Sequence, residues 1–384
     1  MTRSKVFSVL AVVAYMASMA YAVWQGVANP VRNWDMVAYV GAATSWETKD
    51  KQVIYDSAMA EVKQVIWPEY YRQIVEGPLS SDKDIFYQQL PFYTVKPLYI
   101  GAIWLMHTLG GSLAQATWLI SAWAFAVLAG VLLWWKPKAT MRSIWLCALM
   151  AVTFAGDWPM AILARYSTPD ALALMLFMLA WVSWLERGSI LLFLAAAMLS
   201  MLARPDMLLM VLMVVAYATV AAPAEQRMRL PVAALSVALC MALYFGINWA
   251  MGGYSWQKLF YYTFVSKIPE IGTTEISLSW DRYIGAVSWG IDKMRENIHM
   301  QCFALFSVIA ALCHYLRPVG QRHWLWFLLL AWATLAARFL LFPAWGDERY
   351  YFNFYLPMLM ACLELTSPLA INVWQQLQRY RSQP

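Results

Sequence analysis

Residues 6–39 decide the fold, and they read VFSVLAVVAYMASMAYAVWQGVANPVRNWDMVAY. The first part, residues 6–28, is almost entirely apolar and has the length that one α-helix needs to cross a bilayer. The stretch then becomes polar, and Asp35 follows closely. Because ionisable side chains beside a membrane span are usually paired or functional, we predict that this carboxylate belongs to a functional site at the membrane surface.

The composition extends this interpretation to the whole chain. It has 384 residues, of which 62% are hydrophobic and 13% charged, whereas a soluble protein has about a quarter charged residues. Its apolar runs are continuous, unlike the alternating segments of membrane β-barrels. We therefore predict an all-α polytopic membrane protein surrounded by membrane lipids. The net charge of +6 comes from basic residues scattered in short loops, and no nucleic-acid partner is expected.

The apolar runs predict about 10–11 transmembrane helices within a single transmembrane domain, residues 1–384. The segment 97–110 is ambiguous, because it is apolar but short and carries His107. If it does not cross, the basic clusters at residues 3–5, 136–142, 187, 227–229, 317–322 and 379–381 share one side, as the positive-inside rule requires. The predicted spans are 6–28, 112–135, 143–158, 170–186, 189–203, 207–222, 231–250, 301–316, 324–343 and 353–373.

This orientation leaves two long loops on the outward face, residues 30–95 and 251–300. In the first loop, residues 33–46 and 55–75 are predicted to be helices that lie in the membrane interface, since the second has apolar residues at helical spacing among charged ones. The second loop is rich in Tyr and Trp. Aromatic side chains of both loops fit an interfacial belt and equally fit a cover over a site at this face.

The outward ends of the predicted spans collect acidic and basic residues. Two interpretations stay open for each group, a structural ion pair or helix cap on one side and a substrate contact on the other. Alternating bases and acids suit a site that holds a phosphate and a general base. The groups are Asp35, Lys96, Arg165 with Asp170, Arg204 with Asp206, and Glu348 with Arg349 and Tyr350.

Metal and redox chemistry have little support in the sequence. The five cysteines fall within or at the ends of apolar runs, so neither a disulfide framework nor a metal cluster is expected. Asp82 and Asp84 have a spacing that can hold a divalent cation, but such spacing arises often by chance in a polar loop. We expect no cofactor and no metal ligands.

In its arrangement of motifs the chain resembles the GT-C glycosyltransferases, integral membrane enzymes that use polyprenyl-phosphate-linked sugars. The resemblance covers most of residues 1–210 and the region 345–357, and loop 251–300 has no counterpart. The matching elements are Asn33-Trp34-Asp35 followed by Tyr39, then Lys96-Pro97-Leu98-Tyr99, the turn Arg165–Asp170 with Tyr166, the turn Arg204-Pro205-Asp206, and Glu348-Arg349-Tyr350 followed by Pro357.

The resemblance implies a GT-C-like fold with membrane-parallel helices in a large first periplasmic loop, in a bacterial inner membrane. It implies that Asp35 is the catalytic base and that Lys96, Arg204 and Arg349 hold the lipid phosphate, with Arg165 a weaker candidate. The other substrate-binding candidates are Tyr39, Tyr166, Asp170, Asp206, Glu348 and Tyr350. Asp35 is not followed at once by a second acid, which favours a metal-independent member.

The expected activity is the inverting transfer of a single sugar from a polyprenyl-phosphate donor to a hydroxyl of a glycan, lipid or protein such as a pilin. Two alternatives remain at this stage. A transporter or flippase of lipid-linked sugars would place charges along a central path near mid-bilayer. A scaffold subunit would use its outward loops to bind a protein partner.

Overall fold

The structure is a computed structural model that describes residues 3–75, 77–135, 141–154, 160–316, 322–344 and 348–381, apart from the side chains of 3–5, 348 and 368–381. The described residues form helices and no β-strand, with an isolated parallel bridge between Val31 and Tyr166. The helices are α1 (Arg3–Ala28), α2 (Trp34–Thr44), α3 (Lys51–Val65), α4 (Pro68–Val75), α5 (Lys83–Gln89), α6 (Pro91–Thr94), α7 (Pro97–Thr108), α8 (Leu113–Trp134), α9 (Arg142–Phe154), α10 (Asp170–Arg187), α11 (Ile190–Ala203), α12 (Leu208–Val220), α13 (Leu230–Ala250), α14 (Trp256–Phe264), α15 (Trp280–Glu296), α16 (Ile298–Leu316), α17 (Arg322–Leu341) and α18 (Phe352–Arg381).

The all-α membrane protein predicted from composition is confirmed at this level. Five described helices, α1, α8, α13, α16 and α17, are long and apolar enough to cross a membrane. Large apolar side chains stay exposed on them, for example Leu10, Leu235 and Leu305, as is expected of helices that face lipid. Over its described residues each of the ten predicted spans coincides with a helix, and residues 155–158 of the span 143–158 lie outside them; α11 and α12 have 14 and 13 residues. The count of ten crossings stays a prediction.

The ambiguous segment 97–110 forms α7, a helix of 12 residues. At 1.5 Å per residue it is about 18 Å long, well short of the roughly 30 Å hydrocarbon core. Tyr99, Ile100 and Ile103 are buried in it, and the Tyr99 hydroxyl donates to the carbonyl of Thr117 at 2.6 Å. The helices α11 and α12, with 14 and 13 residues, are nearly as short, so whether segment 97–110 crosses stays a prediction.

The buried apolar side chains form two separate clusters. The larger one joins α1, the second half of α8, and the helices from α9 onward apart from α14. The smaller one joins α2, α3 and α5 of the first loop, together with the adjoining α7, to the first turns of α8. The first loop is thus a packed helical layer with its own core.

Two details of this layer differ from the sequence expectations. Met36 to Thr44 of α2 are all buried, so this helix lies inside the layer instead of presenting one face to a membrane. The stretch 55–75 is not one helix but two, α3 and α4, separated at Ile66 and Trp67. Pro68 explains the break, because proline disfavours helical backbone in the residue before it and is well tolerated in the first turn of a new helix.

The end of α1 is fastened to the segment that precedes α10. The amide of Val31 donates to the carbonyl of Arg165 at 2.8 Å, and Arg165 Nε donates to the carbonyl of Asn29 at 2.8 Å. At Gly26 an added Cβ would collide with the carbonyl oxygen of Ala164, so glycine permits this close approach. The fastening holds the start of α2, and with it Asp35, next to the start of α10.

Candidate active site

Asp35 lies in the first turn of α2, where the helix dipole favours a carboxylate. Asn33 caps this helix, its side chain accepting from the amide of Met36 at 3.4 Å. Tyr93 donates its hydroxyl to Asp35 Oδ1 at 3.1 Å, and Arg349 Nη1 lies 3.1 Å from Oδ2. The side chain keeps 22% of its surface exposed. Asp35 is therefore held by partners from both ends of the chain and still accessible.

Lys96 precedes Pro97 at the start of α7 and is held by two aromatic rings. Its Nζ lies 5.0 Å from the ring centroids of both Tyr39 and Tyr93 and donates to the carbonyl of Phe92 at 3.1 Å. Burial lowers the pKa of Lys96 to about 8, while the Asp35 carboxylate acts in the opposite direction. Lys96 makes no ion pair with any described residue, so its ammonium keeps donors for a ligand.

Arg204 is the centre of an ion-pair network. It pairs with Asp170 at the start of α10 and donates from Nε to Asp206 Oδ1 at 2.8 Å. Arg338, near the end of α17, pairs with the other oxygen of Asp206. Burial would raise the pKa of Asp206, but the Arg204 and Arg338 guanidiniums hold it below its usual value. This network joins the beginnings or ends of α10, α11, α12 and α17 at one end of the bundle.

Tyr350 gathers three guanidiniums around its ring. The centroid lies 4.6 Å from Cζ of Arg204, 5.0 Å from that of Arg349 and 6.0 Å from that of Arg338. Cations over aromatic faces are attracted by the ring quadrupole. Tyr350 therefore brings together arginines that would otherwise repel one another.

These residues surround a cavity of about 150 Å³. Three basic and two acidic side chains line it, so its lining has an excess of one positive charge at neutral pH. Arg204, Arg349 and Lys96 are the basic ones. The full lining consists of Asp35, Tyr39, Phe92, Tyr93, Lys96, Thr168, Pro169, Asp170, Arg204, Leu259, Tyr262, Thr263, Phe342, Arg349 and Tyr350.

The structure brings together most of the residues singled out in the sequence. Asp35, Tyr39, Lys96, Asp170, Arg204, Arg349 and Tyr350 all line the cavity. Arg165 does not, and the alternative of an Arg165–Asp170 ion pair is wrong, because Asp170 pairs with Arg204 and Arg165 fastens α1. Tyr166 and Asp206 are also outside the lining: Tyr166 lies under the Arg349 guanidinium, 5.3 Å away, and Asp206 anchors Arg204. The Glu348 side chain lies outside the described residues.

Several site residues were not predicted. Arg338 carried a usable signal, since it is an ionised residue inside a predicted span, and such residues are usually paired or functional. Tyr93 and Phe92 sat in a loop end whose sequence does not reveal which aromatic ring turns inward. Leu259, Tyr262 and Thr263 come from α14 in the second loop and are distant in sequence from every other site residue.

The Asp82 and Asp84 spacing has a structural use. Asp82 caps α5, accepting from the amides of Asp84 and Ile85 at 2.8 and 2.9 Å. Asp84 pairs with Lys51 at 2.6 Å. Among the described residues no group of three or more His, Cys, Asp or Glu side chains is arranged to hold a metal ion.

Comparison with known proteins gives no relative: no protein-family model matches the chain, and neither a curated protein nor a solved structure is significantly similar to it.

Proposed function

We propose that the protein is a GT-C glycosyltransferase of a bacterial inner membrane that transfers a single sugar from a polyprenyl-phosphate donor to an acceptor hydroxyl at the periplasmic face. The observation that carries this proposal is one cavity in which an accessible carboxylate, Asp35, lies beside three basic side chains, Lys96, Arg204 and Arg349. The acceptor would be a glycan, a lipid or a protein such as a pilin.

The carboxylate has the features of a general base. Tyr93 and Arg349 each donate a hydrogen bond to one oxygen of Asp35. A carboxylate has further lone pairs, which can accept a hydrogen bond from the hydroxyl of the sugar acceptor. Burial, followed by the Asp35 carboxylate, raises the pKa of Tyr93 well above its usual value. Tyr93 thus stays a phenol at neutral pH. Its hydroxyl donates to Asp35 and orients it, and Tyr93 does not compete with Asp35 for the proton of the acceptor.

The basic side chains suit the leaving group. A glycosyl phosphate departs as a phosphate that gains negative charge, and fixed cations in a partly buried site stabilise that charge. Arg349 and Arg204 contribute guanidinium charge at the cavity wall, although Nε and Nη1 of Arg204 already pair with Asp206 and Asp170. Lys96 adds an ammonium that has no carboxylate partner among the described residues. The excess of one positive charge in the lining favours an anionic ligand.

The reaction then needs one displacement. The acceptor oxygen forms a bond to the anomeric carbon while the bond from that carbon to the phosphate oxygen breaks. The bonding pair leaves with polyprenyl phosphate, and the acceptor proton passes to Asp35. A single displacement inverts the anomeric configuration. No step in this scheme calls for a cofactor.

The test is transfer of labelled sugar from polyprenyl-phosphate donors into cell-envelope material by the purified protein. Asp35→Asn keeps the size of the side chain and removes the base, so we expect transfer to fall by about 10²–10⁴-fold, the usual contribution of a general base. Asp84→Asn is the matched control, because Asp84 is exposed and is not one of the residues that line the cavity. Folded Asp35→Asn protein that transfers at the wild-type rate would refute the proposal.

A further inference from the structure

The second long loop forms one wall of the cavity through one face of α14, and the neighbouring face of this helix packs on the protein behind it. Leu259, Tyr262 and Thr263, at helical spacing i, i+3 and i+4, line the cavity. Phe260 and Phe264 lie on the next face and pack on Tyr283 and Phe342, with ring centroids 5.3 and 4.6 Å apart. α14 is therefore supported from behind by α15 and by the segment after α17.

Hydrogen bonds fasten this loop to the end of the first loop. Gln88 accepts the amide of Gly272 at 2.9 Å on its side chain and the Tyr254 hydroxyl at 2.8 Å on its backbone. Gln89, fully buried, donates to the carbonyl of Pro269 at 2.7 Å. A Cβ at Gly272 would lie 2.9 Å from both Gln88 Cγ and the Tyr254 hydroxyl, so glycine is required for this contact.

The fastening produces an aromatic surface inside the cavity. The rings of Phe92 and Tyr262 stack with centroids 4.7 Å apart and an interplanar angle of 29°, and both line the cavity. Phe92 is the neighbour of Tyr93, which holds Asp35. Burial, and then the Asp35 carboxylate, raise the pKa of Tyr262 to about 12, so this ring lies within the electrostatic reach of the proposed base.

We propose that α14, through Tyr262 stacked on Phe92, is the wall that recognises the sugar of the donor, as distinct from its lipid phosphate. This inference rests on the transferase function proposed above. A sugar ring has an apolar C–H face and a hydroxyl rim, and the wall offers an aromatic surface together with the hydroxyls of Tyr262 and Thr263. The cavity, at about 150 Å³, is smaller than the roughly 300–1,000 Å³ of pockets for drug-sized ligands and suits one sugar ring.

Because different residues would bind the sugar and the lipid phosphate of the donor, a binding experiment can test the two contacts separately. The protein in detergent is titrated with a short-chain polyprenyl phosphate that carries a hexose or a pentose, and with the same polyprenyl phosphate without sugar. Tyr262→Ala should weaken binding of at least one glycosylated donor by about tenfold, the upper size of an aromatic contact, and leave binding of the sugar-free lipid within about twofold. Tyr262→Phe keeps the ring and should retain most of the affinity.

Trp289→Ala is the matched control, since Trp289 belongs to the same loop, is 49% exposed and does not line the cavity; it should leave all affinities unchanged. A melting temperature for each variant separates loss of contact from loss of fold. Two outcomes with wild-type protein that binds the donors would refute sugar recognition by α14 and leave the transferase proposal standing. In one, Tyr262→Ala binds every donor as tightly as wild type does; in the other, it loses affinity for the sugar-free lipid to the same extent as for the glycosylated donors. If wild type binds neither lipid, the proposed function fails, and this inference fails with it.

Discussion

Two groups of charged side chains meet at the cavity, and they use their charges differently. Arg204 is enclosed by carboxylates: its partners are Asp170 and Asp206, and Asp206 is in turn held by Arg338. Lys96 has no carboxylate partner among the described residues and rests between two tyrosine rings. The paired group fixes helix ends relative to one another, whereas Lys96 keeps its charge for a ligand.

The two groups also differ in how much stability the protein should lose when the cation is removed. A buried cation such as Arg204 is needed by a buried partner such as Asp170, because an ion left without its pair in a low-dielectric site is strongly destabilising. A buried cation held by aromatic rings leaves no such unpaired ion when it is removed. We therefore expect stability to depend on the Arg204 network and activity to depend on Lys96.

The largest effect should follow from Arg204→Met. It leaves buried Asp170 without its Arg204 partner and half-buried Asp206 with Arg338 alone, and breaking a buried pair in this way costs about 3–5 kcal/mol. The measurement is the free energy of unfolding, or the thermal midpoint, in detergent. Lys51→Ala is the control, because Lys51 pairs with Asp84 on the exposed surface and its loss should leave the midpoint unchanged. An unchanged midpoint for Arg204→Met would remove the distinction between the two groups.

The next effect concerns pH and belongs to Lys96. Burial lowers its pKa to about 8, so the ammonium is present below that pH and is lost above it. If the charge holds the donor phosphate, kcat/KM should fall above about pH 8 and approach a tenfold loss per unit, because kcat/KM reports the ionisation of the free enzyme.

Lys96→Met removes this titrating group. Its kcat/KM should already be low at pH 7 and should not decline further above pH 8. A variant that keeps the wild-type descending limb would show that another group titrates there and that Lys96 is not the residue responsible.

The two groups also differ in how far the sequence could predict them. Arg204 and Asp206 are two residues apart in one turn, so their pairing follows from local geometry. The partner of Asp170 could not be predicted in this way. Arg165, in the same turn, is the nearer cation along the chain, but the actual partner, Arg204, comes from the end of α11. Short-range spacing predicts which helix end a charge occupies, and long-range packing decides which charge it meets.

The same reasoning separates the fold from the cavity wall. Where the structure describes them, all ten apolar runs are helical, because continuous hydrophobicity over such lengths leaves few alternatives. Asp35, Lys96 and Arg349 were identified by their chemistry at the ends of these runs. Tyr93 and Tyr262 were not, since an aromatic residue in a Tyr-rich loop gives no sign of where its ring points. Arg338 was missed although an ionised residue inside a predicted span is a usable signal.

The smallest effect concerns Tyr93, which contacts both Asp35 and Lys96. Tyr93→Phe removes the hydrogen bond to Asp35 Oδ1 and keeps the ring beneath the Lys96 ammonium. We expect kcat to fall by roughly 3- to 10-fold, corresponding to about 0.5–1.5 kcal/mol for one hydrogen bond, while the pH limb near 8 stays in place. Tyr87→Phe, a first-loop tyrosine outside the cavity lining, should leave kcat unchanged. If Tyr93→Phe instead moved the pH limb and spared kcat, its hydroxyl would serve Lys96 and not the proposed base.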